Sequence, residues 1–494
     1  MSQKNGTIDK PLRGVSDIRR FFYRNETPIY FISATNFNLL GADEWIKGFK
    51  FICYIECFDG LHPNVFSPSE ELPHEEFESI EDINNYLLEH KEVVDFLKKR
   101  KKKGVKPKAL FLMFDDKTEK LAERLGLEVA FPSAKMRNFM DNKVNTNRIA
   151  EKAGVPCVPN VLTPVKSYAH LNEVSGHLGT DLVIQTPYGD SGHTTFFIKS
   201  EEDYNKHAEE IEKEKEVKVM KRINCRGSAI EACVTRHGTI VAPLMTELVG
   251  FPELTPYKGG WCGNEIYPNA FNKTLRSKAR KYTRQFGDQL REEGYKGYFE
   301  LDFLIDEDSG EIYLGELNPR VTGASSITNH ALFALADAPL FLFHILEWMD
   351  KDYQLSVKAL NDRWNRAINV DTWSQLIIKH TDKTVEYIND APQSGIWRMK
   401  KDGTIEYDRM DTHRRAVESE EEAFYLRISQ KGDYLYEGAD MGILVMRGRL
   451  MTDKFNLTNR AKTWIKAIRG EYVTEEPSNT QVKAQLEVAG FKMM

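Results

Sequence analysis

One run constrains this chain more than any other: GYFELDFLIDEDSGEIYLGELNPR, from Gly297 to Arg320. Phe299, Leu301, Phe303 and Ile305 alternate with Tyr298, Glu300, Asp302 and Leu304. Period two therefore predicts a strand with Glu300 and Asp302 on one face and the hydrophobic set on the other. The turn Asp306-Glu307-Asp308-Ser309-Gly310 leads into a second strand, on which Glu316, Asn318 and Arg320 share a face. Folded as a hairpin, the run sets Asp302 beside Glu316 and Asn318, a cluster of hard oxygen ligands. Mg²⁺ takes oxygen ligands at octahedral sites, typically few carboxylates completed by nucleotide phosphates. Arg320 can grip a carboxylate or a developing phosphate through two parallel hydrogen bonds. Strand parity leaves Glu300 and Asp302 as alternatives for the first metal position. The pattern alone also suits a polar strand pair with solvated ion pairs.

At 494 residues the chain is too long for one ordinary core and predicts about three domains. Residues 1–27 are polar and without a clear period, and read as a tail or capping segment. From 28 to 135 strands alternate with helices: Pro28 to Ile32, Phe49 to Cys57, Ala109 to Met113 and Leu127 to Phe131, with helical stretches at Ile80 to Lys103 and Asp116 to Leu125. That alternation predicts a parallel, doubly wound sheet. Residues 136–350 form a second unit. It holds a helix over Asn142 to Gly154, strands at Asp181 to Gln185, Thr195 to Ile198, Val217 to Met220 and Ala229 to Thr235, and a helix over Leu275 to Glu293. The apolar segment Ala331 to Met349 reads as a buried helix interrupted by Asp337 and Pro339. A third unit, 351–472, has short strands such as Gln375 to Lys379 and Gly442 to Arg447 before a last helix, Asn459 to Ile468; 473–494 reads as a polar tail.

Composition narrows the function classes. Hydrophobic residues make up 41% and charged residues 29%, the balance of a soluble globular protein. A net charge of -6 argues against a sequence-independent nucleic-acid binder. The basic run Lys98 to Lys103 follows an amphipathic stretch and reads as a solvated helix end. Six cysteines without a CxxC pair fit free thiols in a reducing compartment. No apolar run reaches the ~18 residues of a membrane span, and no leader pattern is seen, so the expected location is the cytoplasm.

The Gly297–Arg320 run resembles the metal-binding hairpin of the ATP-grasp superfamily, an acidic strand followed by E-x-N-P-R. The resemblance implies that Asp302 is the first Mg²⁺ ligand, Glu316 the ligand bridging two Mg²⁺ ions and Asn318 the third. Arg320 would contact the substrate or the γ-phosphate of ATP. The stretch from Asp115 to Lys143 is similar to the end of the family's pre-ATP-grasp domain running into its first nucleotide-binding lysine, here Lys143. The family's lysine strand and Gly-rich loop fall on VIQTPYGDSGHTTF. There Gly189 and Gly192 allow the backbone to approach phosphates, and Ser191, Thr194 and Thr195 can donate hydrogen bonds. Gln185 stands where the family has its second lysine; it donates a hydrogen bond but brings no charge, so His193, Lys221 or Arg222 is expected to supply one. Backbone groups of Lys221 and Ile223 would read the adenine edge. Glu231 would hold ribose or a nearby lysine, or else be a strand carboxylate paired to Arg226 or Arg236. The stretch GADMGILVMRGRLMTDKFNLTNRAKTWIKAI resembles the C-terminal domain of biotin carboxylase. The expected fold is thus α/β: an ATP-grasp domain, a Rossmann-like pre-ATP-grasp domain before it and a small α+β domain after it.

The same residues argue against biotin carboxylase itself. Arg320 is followed by Val321-Thr322-Gly323-Ala324-Ser325-Ser326, without the acid that serves that enzyme as base, and the Gly/aromatic stretch Thr255 to Asn264 replaces its Arg/Gln-rich segment. The expectation is an ADP-forming carboxylate-amine ligase using ATP and two Mg²⁺ ions on small carboxylate and amine substrates of amino-acid or peptide type. Trp261, Tyr257, Lys258, Ser325 and Ser326 are candidate substrate contacts. Gln185 leaves a second reading, a nucleotide-binding scaffold without turnover. Neither nucleic acid nor membrane is an expected partner, and analogy with biotin carboxylase allows a homodimer.

Overall fold

The computed structural model describes residues 10–69, 77–189 and 194–477. Its N-terminal sheet has five strands, all parallel, in the order Val65–Phe66, Phe49–Cys53, Ile29–Ser33, Lys108–Phe111, Glu128–Val129. The central strand, IYFIS, is buried at every position, as a parallel strand covered on both faces must be. The helix expected over 80–103 is two helices, Ile80–Glu89 and Lys91–Lys99. His90 breaks them: its backbone is extended and its Nδ1 accepts from Glu92 N at 3.2 Å, capping the second helix. Lys101, Lys102 and Lys103 lie exposed just beyond.

Residues 10–27 of the segment expected as an N-terminal tail or cap are docked. Helix Gly14–Tyr23 buries Ile18 and Phe22 completely, an i,i+4 pair that makes one apolar stripe. Leu12–Arg13 pairs in parallel with Tyr353–Gln354.

Two antiparallel sheets follow. The smaller has four strands, Asn160–Thr163, Val217–Lys221, Leu182–Gln185 and Thr195–Ile198. The larger has eleven strands and starts at the hairpin Gly297–Asp306/Ile312–Asn318. It continues through Cys225–Thr235, Met245–Val249 and Trp261–Ile266 into Trp373–Lys379, Asp440–Arg447 and Glu422–Arg427. Sequence reading separates a C-terminal unit at 351, yet Trp261–Ile266 hydrogen-bonds to Trp373–Lys379 across that boundary. An otherwise open sheet edge gains its backbone partners this way. Residues Val473–Glu475, expected within a tail, pair with Glu386–Asp390.

Helix Lys273–Glu292 covers the hairpin, burying Leu275, Ala279, Thr283, Phe286, Gly287 and Leu290 at helical spacing. The Ala331–Met349 segment is split, as Asp337 and Pro339 predict, into Leu332–Ala336 and a fully buried Leu340–Glu347. Among the described residues no helix is long and apolar enough to cross a membrane, and all six cysteines are free.

Candidate active site

The acidic hairpin forms as its period-two pattern requires, with Asp302 opposite Glu316 and Glu300 opposite Asn318. A register shift after Asp302 makes Gly315 an extra residue, a β-bulge. The bulge changes strand parity, so Tyr313, paired with Leu304, joins Glu316 on the face that Asp302 occupies. That face therefore carries an apolar rung, Leu304–Tyr313, next to an acidic rung, Asp302–Glu316.

Asn318 Nδ2 donates to Asp302 Oδ2 at 3.0 Å and to Glu300 Oε1 at 3.4 Å. Glu300 Oε2 also accepts from Thr322 Oγ1 at 2.8 Å, so both its oxygens are engaged. Asp302 Oδ1 is buried and has no hydrogen-bond partner among the described residues. A buried carboxyl oxygen without a partner is costly, and this free oxygen distinguishes Asp302 from Glu300. Burial raises the Asp302 carboxyl well above the usual range, and Glu300, Glu247 and Glu316 add to this while Arg320 opposes it. Among the described residues no three His, Cys, Asp or Glu side chains are drawn together as a metal site; the set here is two carboxylates and an amide, which suits Mg²⁺ bound jointly with phosphates.

Lys143 opens helix Lys143–Ala153, whose N-cap Asn142 accepts from Val144 N and Asn145 N at 3.0 and 3.1 Å. The cap aims Lys143 into the hairpin: Nζ donates to Glu316 Oε1 at 2.7 Å and to Gly189 O at 2.6 Å. Gly189 has φ 137° and lies against Thr194, whose Cγ2 would be 2.2 Å from an added Cβ, so the position admits only glycine. Ser191, Gly192 and His193 lie outside the described residues. Arg320 donates to Val321 O at 3.5 Å, and its Nε has no partner among the described residues, leaving the guanidinium edge available.

The four-stranded sheet faces this hairpin. On Leu182–Gln185 and Val217–Lys221, Val183 pairs with Met220 and Gln185 with Lys218. Val158, Val183 and Met220 form one apolar cluster with Ile223, Leu304 and Tyr313, which brings the two sheets together at their apolar rungs. Sequence reasoning missed Val158, Val183, Leu304 and Tyr313 here. Ile223 N–H has no partner among the described residues, whereas Lys221 N–H donates to Pro159 O at 3.0 Å. Lys221 is exposed, and Arg222 lies 3.6 Å from Asp181 and stacks over Phe197. Neither is placed to supply the charge that Gln185 lacks.

Glu231 has neither expected arginine partner: Arg226 pairs with Glu307 and Arg236 with Glu347. It is fully buried beside Glu300, accepting from Tyr298 OH at 2.5 Å and Ser325 Oγ at 2.6 Å, with Thr322 Oγ1, whose one proton goes to the nearer Glu300, 3.1 Å away. It anchors the turn after Arg320 instead of reaching a nucleotide. Ser325 and Ser326 are likewise fully buried, Ser326 Oγ donating to Gln375 Oε1 at 2.8 Å, so their hydroxyls are committed to structure. Trp261 lies over Gly323, and Tyr257 OH donates to Glu437 O at 3.3 Å. A residue the sequence did not single out is Glu247, which reaches over Gly227. Burial, with Glu316 adding, raises its carboxyl to about 7.

No family model and no curated protein sequence matches this chain. Solved structures do. Biotin carboxylase from Campylobacter jejuni, in complex with a nucleotide, gives a TM-score of 0.58 at 12% identity, over 91% of this chain and 92% of its own. The biotin carboxylase domain of 2-oxoglutarate carboxylase from Hydrogenobacter thermophilus, solved as a dimer with MgADP and bicarbonate, gives 0.55 at 12% identity, over 86% and 87%. Carboxyaminoimidazole ribonucleotide synthase from Aspergillus clavatus, complexed with ATP, gives 0.52 at 13% identity, over 90% and 99%. Over about nine-tenths of its length the chain has the ATP-grasp fold that biotin carboxylase and carboxyaminoimidazole ribonucleotide synthase share.

Proposed function

We propose that this chain is an ADP-forming ligase that activates a small carboxylate for attack by an amine. The observation that carries the reading is the pairing of two rungs on each facing sheet. Val183–Met220 and Leu304–Tyr313 make an apolar slot beside Ile223, whose backbone N–H has no partner among the described residues, the surroundings of a purine. Beside them Asp302, Glu316, Asn318, Lys143 and Arg320 converge, the surroundings of a triphosphate and its metal.

Asp302, Glu316 and Asn318 would hold Mg²⁺, and Lys143 would bind the phosphates. Bound Mg-ATP supplies the phosphoryl group that turns the substrate carboxylate into an acyl phosphate. Arg320 orients the carboxylate, and Lys143 and Arg320 offset charge at the transferring group; such transfer is mainly positioning and electrostatics. The turn Val321 to Ser326, pinned through Glu231 and Gln375, keeps Arg320 rigid. The described residues with roles here include no enzyme nucleophile, and ligation by direct amine attack needs none.

The test is mass spectrometry of purified protein with Mg-ATP, pooled amino acids and other small carboxylic acids, and hydroxylamine as trap. ADP together with a hydroxamate, absent in Glu316→Gln, supports the reading and names the acid. AMP in place of ADP contradicts it. ATP binding without turnover on every acid tested favours the nucleotide-binding scaffold instead.

A further inference from the structure

The nucleotide sheet presents a cation that does not stand where a lysine was expected. Gln185 ends the strand Leu182–Gln185, and the residue directly opposite it on Val217–Lys221 is Lys218. Directly opposed residues of an antiparallel pair share a face, so Lys218 points to the same side as Gln185. It is 3% exposed. No carboxylate forms an ion pair with it among the described residues. The charged groups that face it are Glu316 and Lys143, together with the Cys157 thiol. A lysine whose stem is enclosed and whose ammonium has no counter-ion among the described residues is suited to an anion. Burial lowers its pKa, opposed by Cys157 and Glu316 and aided by Lys143. Gln185 Oε1 also lacks a partner, while its Nε2 donates to Thr195 Oγ1 at 3.3 Å. This rung is thus polar and incompletely satisfied, and it borders the apolar rung Met220–Val183.

We propose that Lys218 is the phosphate-binding cation of this sheet, the charge having moved one strand sideways from position 185 to the residue across the ladder. This rests on the ATP-dependent reading of the site. Lys143 would approach the triphosphate from the helix end and Lys218 from the sheet. The chain then keeps two lysines for the polyanion, and Gln185 no longer points to a protein without turnover.

The test is calorimetric binding of Mg-ATP and of adenosine to the full chain and to Lys218→Met, Lys218→Arg and the exchange Gln185→Lys/Lys218→Gln. In Lys218→Met, affinity for Mg-ATP is expected to fall by about tenfold or more, the scale of one charge-assisted hydrogen bond, with adenosine affinity kept. The exchange is expected to recover most of that loss, a rescue that a merely structural lysine would not allow. Circular dichroism confirms that each variant is folded. Unchanged Mg-ATP affinity in folded Lys218→Met overturns the proposal. So does equal loss for adenosine and Mg-ATP. Absence of Mg-ATP binding by the unmodified chain would instead overturn the ligase reading beneath it.

Discussion

Lys143 Nζ lies 2.7 Å from Glu316 Oε1 although 173 positions separate the two residues. The contact joins the helix capped by Asn142 to the acidic hairpin, so a cation and a carboxylate from distant parts of the chain are held in one place. Glu316→Gln keeps the shape and a hydrogen-bond acceptor while removing the charge. ATP consumption should fall by more than about 100-fold, as when one preorganised electrostatic group is lost. The thermal unfolding midpoint should fall by only a few degrees, because the amide oxygen still accepts from the buried Lys143 Nζ and Gly189 O keeps its second bond. Full activity in the variant would remove Glu316 from the metal site.

Asp302 and Glu300 stand two residues apart and are told apart by their partners. Glu300 is held by Thr322 and Asn318, whereas Asp302 Oδ1 has no partner among the described residues. Asp302→Asn should abolish Mg²⁺-dependent nucleotide binding, and Glu300→Gln should change it by less than about tenfold, the scale of one neutral hydrogen bond. Titration of ATP with and without Mg²⁺ reads both. The reverse order would move the metal ligand to position 300.

How much of this was legible in the sequence depends on the range of the interaction. The hairpin and helix Lys143–Ala153 were readable because a period of two and an Asn/Gly cap pair are local signals. The split at Asp337 and Pro339 was readable for the same reason. Lys218 was not, since its importance comes from standing across a ladder from Gln185, a register that no local pattern states. Tyr313 was hidden by the bulge at Gly315, which reverses the face that strict alternation assigns. Glu231, Ser325 and Ser326 looked like ligand groups because their residue types are polar; their mutual burial is a tertiary fact. The sheet that runs through residue 351 was hidden too, because pairing of Trp261–Ile266 with Trp373–Lys379 joins segments more than a hundred positions apart.

In the C-terminal part, Lys379 and Asp440 form an ion pair with side chains only 5% and 2% exposed. Removing one partner of such a pair strands the other charge. Lys379→Met should destabilise the chain by about 3 kcal/mol, while Lys379→Met with Asp440→Leu should restore most of that loss. Denaturant unfolding of both variants measures it. A single variant as stable as the parent would mean that water reaches Asp440 on its own.

His344 sets an acid limit on stability. Its Nδ1 accepts from Tyr298 N at 2.9 Å and its Nε2 lies 2.8 Å from Ala130 O. The amide must donate, so Nε2 carries the only ring proton and Nδ1 has no room for a second. Burial lowers its pKa to about 3, with the Ala130 carbonyl opposing and Lys296 adding. Between that value and the ordinary histidine value the unfolded chain binds a proton that the folded chain refuses. Stability is therefore full above the unfolded pKa and declines as pH falls toward the folded one. From pH 7 to pH 5 this residue should remove about 2 kcal/mol of unfolding free energy. His344→Gln cannot titrate and should unfold with a shallower pH dependence, whatever its stability at pH 7. Denaturant titrations at both pH values decide it: an identical loss in the parent and in His344→Gln would place the acid sensitivity elsewhere.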